Sequence, residues 1–449
     1  MIILLLTITL AVMTIVIFLT SRERLITTSL IGSLSFLIAS LLYIINYKII
    51  GSDISFISAM TIIGSVLSFW IGEYVAKHIK IGKKARIKLL ESTNLVLRMK
   101  KFAFRIFILC IAIFLIRYYD LYRYLVEKGE YTGLFSVLSD IRLDYATGLY
   151  VDRGIVMQIV IYVTILLEII SYIYLYYYIR SRIVYKKNEL KLLFPIVGYL
   201  LIILTFTGRT GYIEYLSVFL TIFIYTFYKC RSLYASPEEY KSRAMIQRIA
   251  KIIALFAILF FGYQFIFRND ESTLAKSITA YIAAPLYGYS IMDGKLFYGI
   301  NGQNMTFGYY TFQYIHSMIN SLLGTRIPVP VFHNLPFFEY AKGSSNIYTS
   351  LLFSYLDFGY GGVLVTRCIL GFISGFTLNI LLKCYNPSDM RTIPCLVFYG
   401  LLFNAALSAA IADRYAGLLL DPNSIIKYLI VSPIVIYIFH NIINRKVKI

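Results

Sequence analysis

The stretch TFTGRTGYIEY (205–215) sets Arg209 and Glu214 into sequence that is otherwise almost wholly apolar, with Gly208 and Gly211 flanking the arginine. A guanidinium is a planar fork of donors that pairs bidentately with phosphate oxygens. Arg142, in SDIRLDYATG (139–148), and Arg414, in IADRYAG (411–417), are further arginines in short polar stretches. Together the three could hold one anionic ligand. Singly, each reads as a loop ion pair or, for Arg209, as a headgroup anchor. His333 and Asp357 could supply proton transfer. An imidazole titrates near neutrality and serves as a general base, and a carboxylate can polarise an attacking hydroxyl. His333 reads equally as a hydrogen-bonding group of a Pro-rich loop, and Asp357, ahead of FGYGG, as a helix cap. Glu214 suits orientation or charge balance of Arg209, and Glu168 stands mid-way along another apolar run. No CxxC or paired His/Cys spacing suggests zinc, and no Walker A loop or dinucleotide glycine fingerprint occurs. The chemistry expected needs neither metal nor cofactor.

The elements that must position these residues follow from composition. Of 449 residues, 59% are hydrophobic and 15% charged. The mean hydropathy is +0.73. So apolar a chain cannot be one soluble core, and the fold class expected is an all-α, polytopic transmembrane helical bundle forming a single domain. Runs of roughly 20 apolar residues mark about eleven spans: Ile2–Leu19, Leu25–Ile45, Ile54–Ala76, Phe102–Tyr119, Ile155–Ile179, Leu192–Phe206, Tyr212–Tyr228, Ile249–Phe267, Gly361–Leu382, Ile393–Ala412 and Ile425–Ile443. The first has no basic stretch ahead of it and reads as a retained helix, not a signal peptide. As one helix, Leu192–Tyr228 would be about 55 Å long, against a hydrocarbon core of about 30 Å. The chain must therefore fold back, and Gly208 and Gly211 are where it can turn.

Lys/Arg bias orients the spans. The connection Lys77–Lys101 carries nine Lys and Arg and is placed inside. Alternation then places the formal excess essentially on the inner connections and leaves the outer ones close to balanced. Arg105, Arg367, Glu168 and Glu214 fall within spans and cancel. The charge reads as an orientation signal and contact with anionic membrane lipids, not as a nucleic-acid groove. The N-terminus is expected outside, the C-terminus inside, and Arg142, Arg209 and Arg414 on the outer face. All five cysteines fall in spans or inside, so no outer disulfide is expected.

Residues 268–360 form an outer loop far longer than an ordinary connection, so structure and function are expected there. Within it, 277–292 reads as an interfacial or re-entrant helix, 324–343 as ordered irregular loop, and 345–365 as a short helix leading to the ninth span. The GYGG cluster (359–362) reads as a tight turn with close helix packing.

The outward GRTG hairpin, IRLDYATG, YIAAPLYG (281–288) and NIYTSLLFSYLDFGYGGVLVTRCILG (346–371) together resemble the O-antigen polymerase family, the integral-membrane oligosaccharide repeat-unit polymerases. The resemblance covers most of the chain in layout and about sixty residues in motif. It implies polymerisation of undecaprenyl-diphosphate-linked oligosaccharides on the outer face of the bacterial cytoplasmic (inner) membrane, with no nucleotide sugar. It also implies that Arg209, Arg142 and, less clearly, Arg414 bind diphosphate, and that Asp357 is the acid of the Asp-Phe-Gly pattern. Asn346 and Tyr348, of the Asn-x-Tyr-Thr pattern, would support the site. A chain-length regulator is a conceivable partner. The rival expectations are an O-antigen-ligase-type transfer to another acceptor and a flippase or transporter for lipid-linked glycans.

Overall fold

The computed structural model describes residues 2–21, 27–81, 93–129, 137, 141, 154–183, 187–206, 210–231, 276, 278–292, 308–329, 337–384 and 392–445. They form an all-α polytopic bundle. In chain order the helices are α1 (Ile2–Thr20), α2 (Thr28–Ile45), the short α3 (Tyr47–Ile50), α4 (Phe56–His78), α5 (Thr93–Lys128), α6 (Ile155–Ile183), α7 (Leu193–Leu204), α8 (Thr210–Arg231), α9 (Ala284–Ile291) and α10 (Gln313–Leu323). A small antiparallel hairpin, β1 (Phe338–Tyr340) and β2 (Gly343–Ser345), precedes α11 (Leu352–Cys384), α12 (Thr392–Leu407), α13 (Arg414–Leu419), α14 (Pro422–Ile425) and α15 (Ser432–Arg445).

Seven helical stretches among the described residues are long and apolar enough to cross a membrane. Two of the eleven expected spans, 192–206 and 393–412, are shorter apolar helices. A third, Phe102–Tyr119, lies inside α5, where Arg105 and Arg117 interrupt the apolar stretch. Ile249–Phe267 lies outside the described residues.

The chain divides into two compact units. The first comprises Met1–Lys84, Glu271–Cys384 and Leu401–Ile426. Its spine is α4 against α11, running parallel: Gly64 faces Leu364, Gly72 faces Cys368 and Phe372, and Gly375 faces Glu73. A Cβ at Gly72 or Gly371 would collide with backbone of the facing helix, so the helices approach backbone to backbone. Asn379 Nδ2 donates to Ala76 O at 3.1 Å and Lys383 Nζ to Ile79 O at 3.1 Å, closing one end. At the other end, Asp53 accepts from Ile2 N (2.8 Å) and Ile3 N (3.0 Å), satisfying orphan donors of α1. The loop 268–360 joins that same end: Ala341 N and Lys342 N donate to Ile50 O and Ile49 O. The stretch expected as an interfacial or re-entrant helix is helical and packs into the core of the unit. Ala283, Ala284, Leu286 and Tyr289 are buried, and the Phe338 ring occupies the space beside Gly288.

α11 begins at Leu352, nine residues before the expected Gly361. It is two helices in one, divided at Gly359, whose φ of 67° and ψ of −162° only glycine adopts readily. The short helix expected ahead of the ninth span is thus Leu352–Phe358, and the tight turn expected in GYGG falls on its first glycine.

The second unit comprises Ala85–Asp270, Tyr385–Gly400 and Lys427–Ile449. Here α5, α6, α7 and α8 pack through aromatic rings, among them Phe104, Phe107 and Phe194 and the stacked Tyr172 and Tyr215. α7 and α8 fold back on each other as the span arithmetic requires. Tyr212 OH donates to Leu200 O at 3.1 Å, and a Cβ at Gly211 would lie 3.0 Å from Ile203 Cγ2.

Candidate functional site

Arg142, Arg209 and His333 lie outside the described residues. Of the remaining sequence candidates, Asp357 and Arg414 belong to the first unit and flank one segment, 308–323. The Asp357 carboxylate accepts from Tyr310 N at 3.1 Å and Thr311 N at 2.6 Å. It therefore does not cap its own helix. It holds the turn that leads into α10, and each oxygen retains a lone pair for a further donor. His316, one turn into α10, is within electrostatic range of Asp357, and its Nδ1 is buried without a hydrogen-bond partner. Gln313 is buried with both amide atoms unpartnered.

Tyr314 turns to the other side of α10, toward Asp413, Arg414 and Asp421. Burial and then the two carboxylates push its hydroxyl above the ordinary phenol range, with Arg414 opposing. Arg414 is half-buried at the first position of α13. Asp413 caps that helix, accepting from Tyr415 N and Ala416 N at 3.1 and 3.3 Å. The C-terminal end of α10 is apolar and open: Leu322 and Leu323 are each 73% exposed, with Met318 one turn before. The supporting residues separate. Asn346 is exposed, while Tyr348 is buried against Phe338, ring centroids 5.2 Å apart, and belongs to the core.

Charged groups deeper in the helices were the larger omission of the sequence reading. Glu73, Arg117 and Lys427 also fall within the spans it drew, and only Arg105, Arg367, Glu168 and Glu214 were noted there. Arg367, 3% exposed, donates to Ser350 O and lies 5.7 Å from the Tyr415 ring centroid. Ser350 in turn gives both its amide and its hydroxyl to Ala409 O, at 2.9 and 2.7 Å. Ala410 N donates to Ser35 Oγ of α2. Two non-helical stretches, 346–351 and 408–413, thus meet inside the first unit. Such backbone is tolerated among membrane helices only where protein or a cavity satisfies it.

In the second unit Glu168 is paired. Lys427 Nζ lies 2.6 Å from its Oε2, and Tyr428 OH donates to Oε1 at 2.9 Å. Glu214 is half-buried on the first turn of α8, in electrostatic range of Tyr172 and Tyr199. Its expected link to Arg209 ends on a residue outside the described set. Arg117 meets the C-terminal end of α7: Nε donates to Thr205 Oγ1 at 2.9 Å and the group lies 4.3 Å over the Phe206 ring. A charge inside an apolar run was the available signal for Arg117, Arg367, Glu73 and Lys427 alike.

No family model, no curated protein and no solved structure matches this chain.

Proposed function

We propose that this protein polymerises undecaprenyl-diphosphate-linked oligosaccharide repeat units into a surface polysaccharide by glycosyl transfer at the outer face of the bacterial cytoplasmic membrane. The observation that carries the reading is the grouping around α10: Asp357 and His316 on one side, Tyr314 and Arg414 on the other, and exposed leucines at the helix's C-terminal end. A lipid-linked substrate needs that combination. Its tail requires an apolar approach, its diphosphate a cation, and its acceptor hydroxyl a base.

In this reading the end of the first unit that carries 46–53 and the 337–345 hairpin faces outward. Arg414 binds the donor diphosphate and stabilises charge developing on the leaving group; Arg209 and Arg142, outside the described residues, keep that role as sequence candidates. The acceptor hydroxyl attacks the anomeric carbon of the donor chain, and its proton passes to His316. Asp357 lies opposite that imidazole and holds the turn on which it stands. His316 takes the role first given to His333, which stays in the test.

The test is polymerisation of lipid-linked repeat units by purified protein in detergent. His316→Ala, Arg209→Ala and Arg414→Ala should each lower product length and rate at least tenfold, and Asp357→Asn somewhat less. Full activity of His316→Ala together with loss in His333→Ala would move the base to His333. Full activity in all the arginine variants would remove the diphosphate site.

A transporter for lipid-linked glycans is the second reading. It is favoured by the two interrupted stretches, 346–351 and 408–413, that meet beside Arg367, since broken helices at depth are where transporters bind. A deletion strain separates the two. Single repeat units capped on the surface indicate a polymerase, and loss of all surface glycan indicates a transporter or a ligase.

A further inference from the structure

The first unit contains a polar trail that the glycan chemistry does not use. One end is a cavity lined by Thr20, Ser21, Thr27, Lys77 and Glu73, among others, and it reaches the bundle surface where Thr20 is exposed. Its inner wall is Ser29, whose amide donates to Glu73 Oε2 at 2.8 Å. Ser29 is shared with a second cavity, bounded by Thr28, Ser33, Ser65, Arg367 and Tyr415. The two offer about 30 and 20 Å³ to the centres of water-sized molecules. A single water needs about 10–15 Å³ by that measure, so the first has room for two or three and the second for one or two.

The second cavity has mainly apolar walls, Phe36, Val66 and Phe69 among them, with unpartnered polar groups at its edge. Arg367 Nε, Tyr415 OH and Thr28 Oγ1 are all buried without a hydrogen-bond partner. Ser33 and Ser65 give their protons to Leu30 O and Ile62 O and so keep oxygens as acceptors. Beyond the cavity, Asp413 lies in electrostatic range of Arg367 and Tyr415, and the next groups outward are Arg414, Tyr314 and Asp421. Tyr415 is also in range of Glu73. Glu73, Tyr415, Arg367, Asp413 and Arg414 thus follow one another through the unit, with the second cavity between Ser29 and Tyr415. A polar chain through membrane helices is costly and is kept where ions or protons move.

We propose that the first unit is a proton path, in which Glu73 exchanges protons with the end lined by Thr20 and Lys77, Asp413 with the end lined by Arg414 and Tyr314, and waters held by Tyr415, Arg367 and the serines connect them. One proton enters at one carboxylate as one leaves at the other, so no net charge accumulates in the unit. Facing Glu73 are Ser29 from α2, Tyr415 from α13 and Lys77 of its own helix. Facing Asp413 are Arg367 from α11, and Tyr415 and Arg414 from α13. Arg367 is the fixed cation that keeps both carboxylates within reach and repels other cations.

The experiment is proton flux into proteoliposomes that trap a pH-sensitive dye, driven by a potassium diffusion potential. The parent protein should acidify the lumen faster than protein-free vesicles. Glu73→Gln and Asp413→Asn should return the rate to that of protein-free vesicles, and Tyr415→Phe should slow it several-fold. Glu339→Gln, on an exposed strand, should match the parent. Monodisperse elution in detergent confirms that each variant is folded, and Tyr415→Phe, which removes one oxygen, guards against loss of fold in the charge variants. A parent rate equal to that of empty vesicles would overturn the path, as would parent-like flux in folded Glu73→Gln and Asp413→Asn.

Discussion

The two compact units bury charge in opposite ways. In the second, Glu168 is closed off: one oxygen meets Lys427 and the other takes the Tyr428 hydroxyl, with Tyr172 3.5 Å from the same oxygen. In the first, Arg367 gives one bond to Ser350, faces the Tyr415 ring and leaves Nε open toward a cavity. Their packing differs too. The second unit fills its interior with rings, and Tyr172, Tyr199, Tyr215 and Tyr428 are all buried around Glu168. The first brings α4 and α11 together at glycines. A saturated carboxylate among aromatic rings is a staple. An unsaturated guanidinium beside a wet space, in a unit whose backbone is broken at 346–351, 359 and 408–413, is where movement and exchange can occur.

The largest effect expected from breaking this contrast is at the glycine seam. Gly371→Ala would drive a Cβ into the Phe69 backbone carbonyl. Loss of the folded protein, or a melting temperature lower by well over ten degrees in detergent, is expected, since overpacking against backbone cannot relax by rotamer change. A variant that melts like the parent would show that α4 and α11 do not touch there.

Next comes the staple. Glu168→Ala strands Lys427 and the Tyr428 and Tyr172 hydroxyls, and should cost about 3 kcal/mol in unfolding free energy, because breaking a buried pair leaves an uncompensated charge. Glu168→Ala combined with Lys427→Met should recover much of that loss. Equal losses in the single and double variants would show that the pair is not coupled.

The smallest effect is one of pH. Burial holds Asp413 above the usual carboxylate range, against the pull of Arg367, the Ala416 and Tyr415 amides and Arg414. A carboxyl whose pKa is raised on folding stabilises fully below its unfolded pKa, and that contribution is lost as pH rises through the folded value. Asp413→Asn keeps an oxygen to cap α13 but cannot titrate. Its melting temperature should fall less than that of the parent between about pH 4 and about pH 8. Parallel profiles would assign the titration elsewhere.

Much of the architecture could be read from the chain alone. Apolar run lengths marked the membrane helices, because a bilayer admits only segments that satisfy their own backbone, and each must be about 20 residues long. The fold-back between α7 and α8 followed from length against bilayer thickness, and the turn in GYGG from glycine's access to positive φ. Asp357 was legible as a residue that organises a turn, but not which turn. Its partners Tyr310 and Thr311 are more than forty residues away in sequence, and no local pattern encodes that meeting. Nothing in the sequence favours His316 over His333 as a base, because its proximity to Asp357 exists only in three dimensions. Arg117, Glu73 and Lys427 sat inside apolar windows whose average hid them.

What the sequence determined, then, is solvent: which stretches must leave water, and roughly where the chain must turn. That is local, since burial and backbone satisfaction act residue by residue along a helix. What only the tertiary structure decided is which buried charges are closed and which are open. Glu168 and Arg367 look alike as single charges in greasy helices. One meets a lysine 259 positions later and the other meets a cavity, and that difference is a matter of neighbours brought by packing.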